Sequence, residues 1–369
     1  MNWKEIRSKY PLVNNYTYLD NARTGAISKG TSHRLKAHID DFMAHGALHR
    51  EEWVETKESA RTRVSEILKV DTSSIGFLTD VSTGMSFLAT AMKTYPRVLL
   101  VEHDFPSVGI PWIRAGYDIL WITKESDLSI DLGKIEEAFK KGVDVFPISW
   151  VQYNSGFRID LQELGKLCKR YDVRLIVDGT QGFCALSVAP ETLNIDVFMS
   201  SCFKWVTGGY GVAIVYLNPD FNKKIRFEAG GWNSLIDFFG AWDEGDNYKN
   251  SAEVLELAHP KFANLITLDH ALSEIQEIGI ENIHDRVIRL SKYLQDQLQE
   301  NGTETLSNYD EGNISGIRLM RGDKALFKYL ESQKVKVTFR EDYLRLGIHF
   351  YNEEHDVDSL IKAIRVRTA

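Results

Sequence analysis

Cysteine is scarce in this chain of 369 residues. There are three, Cys168, Cys184 and Cys202, with no C-x-x-C spacing among them. That argues against a structural metal centre, so no metal is expected, and it suggests a reducing compartment. A Lys/Arg-rich block is also missing, and the net charge is −8 with a pI near 5.7, so nucleic acid is not an expected partner. No apolar run is long enough to span a bilayer, and the opening MNWKEIRSKYPL has no signal-peptide core. The expectation is a soluble cytoplasmic protein with no membrane partner. Two glycine signatures are absent as well. Without G-x-x-x-x-G-K there is no Walker A loop, and without G-x-G-x-x-G a dinucleotide site is disfavoured.

What is present is a 43% hydrophobic content, sufficient for a sizeable core. The length exceeds one average domain, so one large and one small domain are expected. After a polar lead-in, YTYLD reads as a strand and SHRLKAHIDDFMAHG as a helix. A longer helix follows with Trp53, Ala60, Val64 and Ile67 on one face. From IGFLTD onward short apolar runs (RVLLVEH, DILWI, VDVFPISWVQ, RLIV, VFMSS, GVAIVYLN) alternate with helical spacings. Repeated βα units imply an α/β fold with a mainly parallel sheet covered by helices, the GVAIVYLN strand antiparallel after its glycine turn. Residues 226–260 read as irregular, followed by a long helix over about 261–277. Beyond it, helices alternate with the strands GIRLM and YLRLGIHF. The expected division is a large domain over 17–262 and a small α+β domain over 1–16 and 263–369.

The most informative stretch runs from Arg174 to Trp205. RLIV is a buried strand ending in Asp178, with Gln181 three residues on. VFM leads through Ser200 and Ser201 to Lys204. Open α/β sheets bind ligands at the carboxyl ends of their strands, and here two strands each deliver one charged group there. An acid and a lysine held in this way suit an aldehyde cofactor with a basic ring nitrogen. The ordinary alternatives are a surface lysine and a helix-capping aspartate. Gln181 is a candidate donor to the ring oxygen of such a cofactor, and Ser201 a candidate phosphate ligand. Ser82, Thr83 and Gly84 open a helix after a strand, either as caps or as a phosphate site at its amino end. Phe105, just after a strand, either stacks on a ring or belongs to the core. Arg345, in an alternating strand, either forms a surface ion pair or grips a carboxylate. His49 and Arg50 lie either on a helix surface or within reach of a site, including that of a second subunit.

Taken together these motifs resemble fold-type I pyridoxal-phosphate enzymes of the class V aminotransferase group. That group includes cysteine desulfurases, selenocysteine lyases, kynureninases and isopenicillin N epimerase-like proteins. The resemblance runs from YLDNARTG through VSTGMSFLA, EHDFPSV, SWVQYNSGFRIDL, VDGTQ and SSCFKW to LRLGIHFYN. It implies a seven-stranded, mainly parallel sheet, pyridoxal 5'-phosphate as cofactor, an amino acid as substrate and a homodimer with the site at the subunit interface. It makes Lys204 the Schiff-base lysine and Asp178 the partner of the pyridine nitrogen, the two catalytic residues. Gln181, Ser82, Thr83, Phe105 and Ser201 become cofactor ligands, and Arg345, with Gln152, Tyr153, His49 and Arg50, faces substrate.

Three departures from the group's pattern matter. TFREDYLRLG has neither the cysteine nor the room of a desulfurase loop. Phe203 stands where desulfurases carry histidine. The E-x-G-T-P motif becomes ELAHP, leaving His259 as the candidate for a cross-subunit phosphate contact. The expected activity is transamination, which needs no further catalytic group. The alternatives are C–S or β-lyase chemistry without a catalytic cysteine, epimerisation, or a non-enzymatic cofactor-binding scaffold.

Overall fold

The computed structural model describes residues 1–240, 242 and 247–368. Two short helices, α1 (Trp3–Ser8) and α2 (Leu12–Asn15), precede strand β1 (Thr17–Tyr18) and the long helices α3 (Lys29–His45) and α4 (Arg50–Leu68). The alternating part follows: β2 (Ile75–Leu78), α5 (Val81–Ala91), β3 (Arg97–Val101), α6 (Pro106–Arg114), β4 (Asp118–Ile122), α7 (Leu132–Phe139), β5 (Val145–Ser149), α8 (Leu161–Tyr171), β6 (Arg174–Asp178), β7 (Val197–Ser201) and β8 (Ala213–Leu217). After α9 (Pro219–Asn222) come α10 (Phe262–Ile278), α11 (Ile280–Glu300), β9 (Ile317–Arg321), α12 (Lys324–Ser332), β10 (Val335–Lys336), β11 (Thr338–Arg340), β12 (Tyr343–Gly347) and α13 (Glu354–Thr368).

Seven strands form the central sheet in the order β2-β8-β7-β6-β5-β3-β4. Only β8 runs against its neighbours, pairing antiparallel with β7 and β2. The inner strands are apolar at every position because both faces of the sheet are covered. Along β6, Leu175 and Val177 face one core with Phe146 and Ile148, while Ile176 faces the other with Val145 and Val197. This is the period of two that a strand imposes. The expected apolar face of α4 is buried. Helix α8 is capped by Asp160, whose carboxylate accepts the N–H groups of Gln162 and Glu163.

A three-stranded antiparallel sheet, β11-β12-β9, lies in the C-terminal part, and β1 pairs in parallel with β10. Helix α10 packs on α3 and α4. In the irregular stretch 226–260 the backbone makes short 3-10 turns at Trp232–Ser234 and Ala252–Leu255; residues 241 and 243–246 lie outside the described residues. Helices α6 and α12 had not been expected, nor had the short α1, α2 and α9. Among the described residues no helix is long and apolar enough to cross a membrane.

Candidate active site

Parallel pairing in register sets Ser149 beside Asp178 and Asp178 beside Met199, at the carboxyl ends of β5, β6 and β7. There a cavity of about 230 Å³ opens, lined among others by Asp178, Gln181, Ser201, Lys204 and Phe105. The chain leaves β7 at Ser201 and turns at once. The N–H of Thr207 donates to the Lys204 carbonyl at 3.2 Å, with Thr207 itself in the left-handed region at φ +59°. Gly25 closes on this turn from the N-terminal segment. Its N–H donates to the Phe203 carbonyl at 3.0 Å, and a methyl group on Gly25 would overlap the Lys204 carbonyl oxygen. The close approach of two backbones requires glycine there.

The Lys204 side chain is buried, its amine 5.7 Å from the centre of the Phe105 ring and 5.4 Å from that of Phe203. Burial pulls its pKa down to about 8; Asp178 opposes this and Arg345 adds to it. Removing water penalises the ammonium form, so the free amine is within reach near neutral pH. Burial likewise raises the carboxyl of Asp178, against the hydrogen bonds of Thr180 and the charge of Lys204. The N–H of Thr180 donates to Asp178 Oδ1 at 2.9 Å. Gln181 is fixed at both ends, donating to the Ala22 carbonyl and accepting from the Trp205 indole N–H, each at 2.9 Å. Around the rim lie the hydroxyls of Ser82, Ser107, Thr180 and Ser201, with Ser82 and Ser107 2.6 Å apart.

Several expected residues lie elsewhere. Helix α5 is capped by Asp80, whose carboxylate accepts the Thr83 N–H at 2.8 Å, so the helix starts ahead of Ser82. Thr83 then lines a separate cavity of about 200 Å³ together with His259, whose ring packs on Trp232 at 4.8 Å. Gln152 is fully buried, its amide 3.4 Å from the Ser149 carbonyl, and does not line the site. Tyr153 does, with its ring edge-on to Phe105 at 5.3 Å. Arg345 sits in an adjoining cavity whose wall includes Tyr153, and donates to the Tyr153 carbonyl at 2.8 Å. His49 pairs with Asp41 at 2.7 Å and the Arg50 guanidinium lies over Phe262 at 5.7 Å; neither lines this chain's cavity.

Sequence reasoning passed over Ser107, Thr180, Asp80 and Lys124. Three of them stood inside stretches already quoted, Asp80 in IGFLTD, Ser107 in DFPSV and Thr180 in DGTQ. The signal for Lys124 is tertiary, since it comes from β4's end into the cavity of Arg345.

The family model described as Aminotransferase class-V matches residues 17–360. Among curated proteins, an uncharacterized aminotransferase, YcbU of Bacillus subtilis, is 21% identical over 99% of this chain and 98% of its own length. Among solved structures, a cysteine desulfurase from Thermococcus onnurineus NA1 has a TM-score of 0.87 at 19% identity, covering 99% of this chain and 97% of that one. A C-DES variant with glycine covalently linked to its PLP cofactor has a TM-score of 0.88 at 19% identity, covering 96% and 98%.

Proposed function

We propose a function for this chain on the premise that it belongs to the aminotransferase class-V family. It is a pyridoxal-phosphate enzyme acting on an amino acid, with transamination as its reaction. The observation that carries this reading is the pairing of Lys204 and Asp178 in one cavity, at the ends of adjacent parallel strands, with an aromatic wall beside the amine. The donor set fits the group. Lys204 would hold its aldehyde carbon, Asp178 its ring nitrogen, Gln181 its ring oxygen and Phe105 its face, with Ser82 and Ser201, joined by Ser107 and Thr180, around its phosphate.

When bound, pyridoxal phosphate supplies an electron sink for charge released at the amino acid's α-carbon. The rest is the work of this chain's side chains. Lys204, with its amine near pKa 8, takes a proton from the α-carbon as general base and returns one as acid. Asp178 is the counter-charge that keeps a ring nitrogen protonated. Phe105 and Phe203 keep water from the amine, which preserves its low pKa. Arg345 receives the substrate carboxylate.

Reconstitution tests this. Cofactor should be taken up with a visible absorption band, borohydride should remove the band, and the label should map to Lys204 and be absent in Lys204→Ala. A label at another lysine, or no uptake, overturns the reading. β-Elimination is the second reading. Like transamination it needs the lysine but no cysteine nucleophile, in keeping with the buried state of all three thiols. Keto acid formed only with an amino acceptor supports transamination; keto acid and ammonia without an acceptor support elimination. Inversion of a single stereoisomer would instead indicate epimerisation. We also propose a cytoplasmic homodimer with the site at the subunit boundary. The exposed apolar residues Phe42, Met43 and Leu48 around the α3–α4 corner support it, and sedimentation tests it.

A further inference from the structure

Beside the Lys204 cavity lies a second of about 590 Å³, and Tyr153 lines both. Two cations reach into it from opposite parts of the chain. Arg345, from β12, donates to the carbonyl of Tyr153 at 2.8 Å. Lys124, just after β4, donates to the side-chain oxygen of Asn154 at 3.1 Å and to the carbonyl of His103 at 3.2 Å. The two cationic heads thus hang on consecutive residues and line one cavity.

Neither cation is fully answered by the protein, although Arg345 also donates to the Thr338 hydroxyl at 3.3 Å. Among the described residues Lys124 makes no ion pair, and both acceptors it reaches are neutral groups, leaving one ammonium N–H for a ligand. Burial pulls its pKa down to about 8, with Asp104 opposing. The nearest carboxylate to Arg345 is Asp20 at 4.0 Å, and the buried Nε of Arg345 has no hydrogen-bond partner. The local backbone is arranged around Lys124. His103 is held at φ +57°, uncommon for a residue with a side chain, and its carbonyl receives both Lys124 and the Asn154 amide.

We infer that Lys124 and Arg345 form a two-point anion subsite, and that the preferred substrate is an amino acid whose side chain ends in a carboxylate or a similar anion. The inference rests on the Lys204 cavity being the active site. An arginine that holds an α-carboxylate serves any amino acid; Lys124 is the group that discriminates, because its charge and its spare N–H are left unanswered by a neutral side chain. The cavity is not a general anion trap. Glu102, Glu125 and Glu341 line it along with Arg340. Glu125 is tied to Lys134, but the carboxylates as a group balance the cations. Selection must come from the placement of Lys124 and Arg345, not from net charge.

The test compares glutamate with glutamine, and aspartate with asparagine, in titrations of cofactor-loaded protein followed by the visible band. In parallel, glutarate is titrated calorimetrically into the cofactor-free protein. The acids should bind at least about ten-fold more tightly than their amides. Lys124→Met should bring that ratio close to one, and both Lys124→Met and Arg345→Met should abolish the heat of glutarate binding. Lys124→Gln serves if the methionine variant does not fold. Equal affinity of wild type for acid and amide, or a ratio unchanged in the Lys124 variant, overturns the inference. Failure of cofactor to attach at Lys204 would remove the proposed function instead, while the glutarate titration still decides the subsite.

Discussion

Gly25 and Lys204 meet backbone to backbone. The glycine has no room for a methyl group against the lysine's carbonyl oxygen, and its N–H holds the carbonyl of Phe203. An N-terminal segment thereby sets the height of the turn that carries Lys204.

Gly25→Ala should push the 202–207 turn away and weaken cofactor retention by on the order of ten-fold, since overpacking of this kind costs about 1–3 kcal/mol. Dialysis of reconstituted protein followed by absorbance measures it. Normal retention would mean that the turn tolerates displacement.

Protonation of Lys204 should set the pH dependence of cofactor uptake. With a folded pKa of about 8, the free amine grows with pH, so the uptake rate of stripped protein should rise through about pH 8 and level off above it. Stability follows the same linkage. The unfolded lysine, at 10.5, binds its proton up to a higher pH than the folded one. Stability contributed by this group therefore rises between about pH 8 and 10.5, and the buried charge is a full burden below 8. Lys204→Met should stabilise the cofactor-free protein at pH 7 by on the order of 2–3 kcal/mol, read from urea unfolding.

His349 should make the protein acid-labile. It is buried between Trp205 and Tyr351, with ring centres at 5.3 and 4.2 Å, and its Nδ1 accepts the N–H of Phe350 at 3.0 Å. Burial depresses its pKa from 6.5 to about 3. Between these values the unfolded chain binds the proton and the folded one does not, so stability falls as pH drops below 6.5, by about 1.4 kcal/mol per pH unit. His349→Phe should flatten that slope in urea midpoints measured between pH 4 and 7, at some cost in absolute stability.

No thiol should be needed for turnover. Cys168, Cys184 and Cys202 are all buried, and burial pushes each thiol above its usual range. An alkylating reagent should leave native protein unlabelled and fully active, and label all three only after unfolding. Loss of activity on labelling of the native protein would reopen persulfide chemistry.

The sheet was readable because its inner strands are buried on both faces and spell out continuous apolar runs. The VDGTQ and SSCFKW segments were readable because each follows such a run directly. Helix α6 was not, since Pro106 and Pro111 within nine residues imitate a loop; burial of Val108 and Trp112 against the sheet overrides them. Thr83 was drawn into the site by a pattern, STG, that looks like a helix start. Asp80 takes the cap instead and turns Thr83 to the neighbouring cavity. Gln152 follows β5 in a tight loop, where residue spacing does not tell which side chains face inward. The pairing of Lys124 with Arg345 joins the end of β4 to β12, and no local periodicity reports that.

Thr17 pairs in parallel with Val335, and the Asn21 side chain donates to the Gly347 carbonyl. During synthesis Thr17 and Asn21 must therefore wait for their partners until residues 335 and 347 have left the ribosome. Since Gly25 follows directly on that segment, the lysine turn receives this support only after those distant partners have been made, and chains cut short of residue 335 would carry an unfinished pocket.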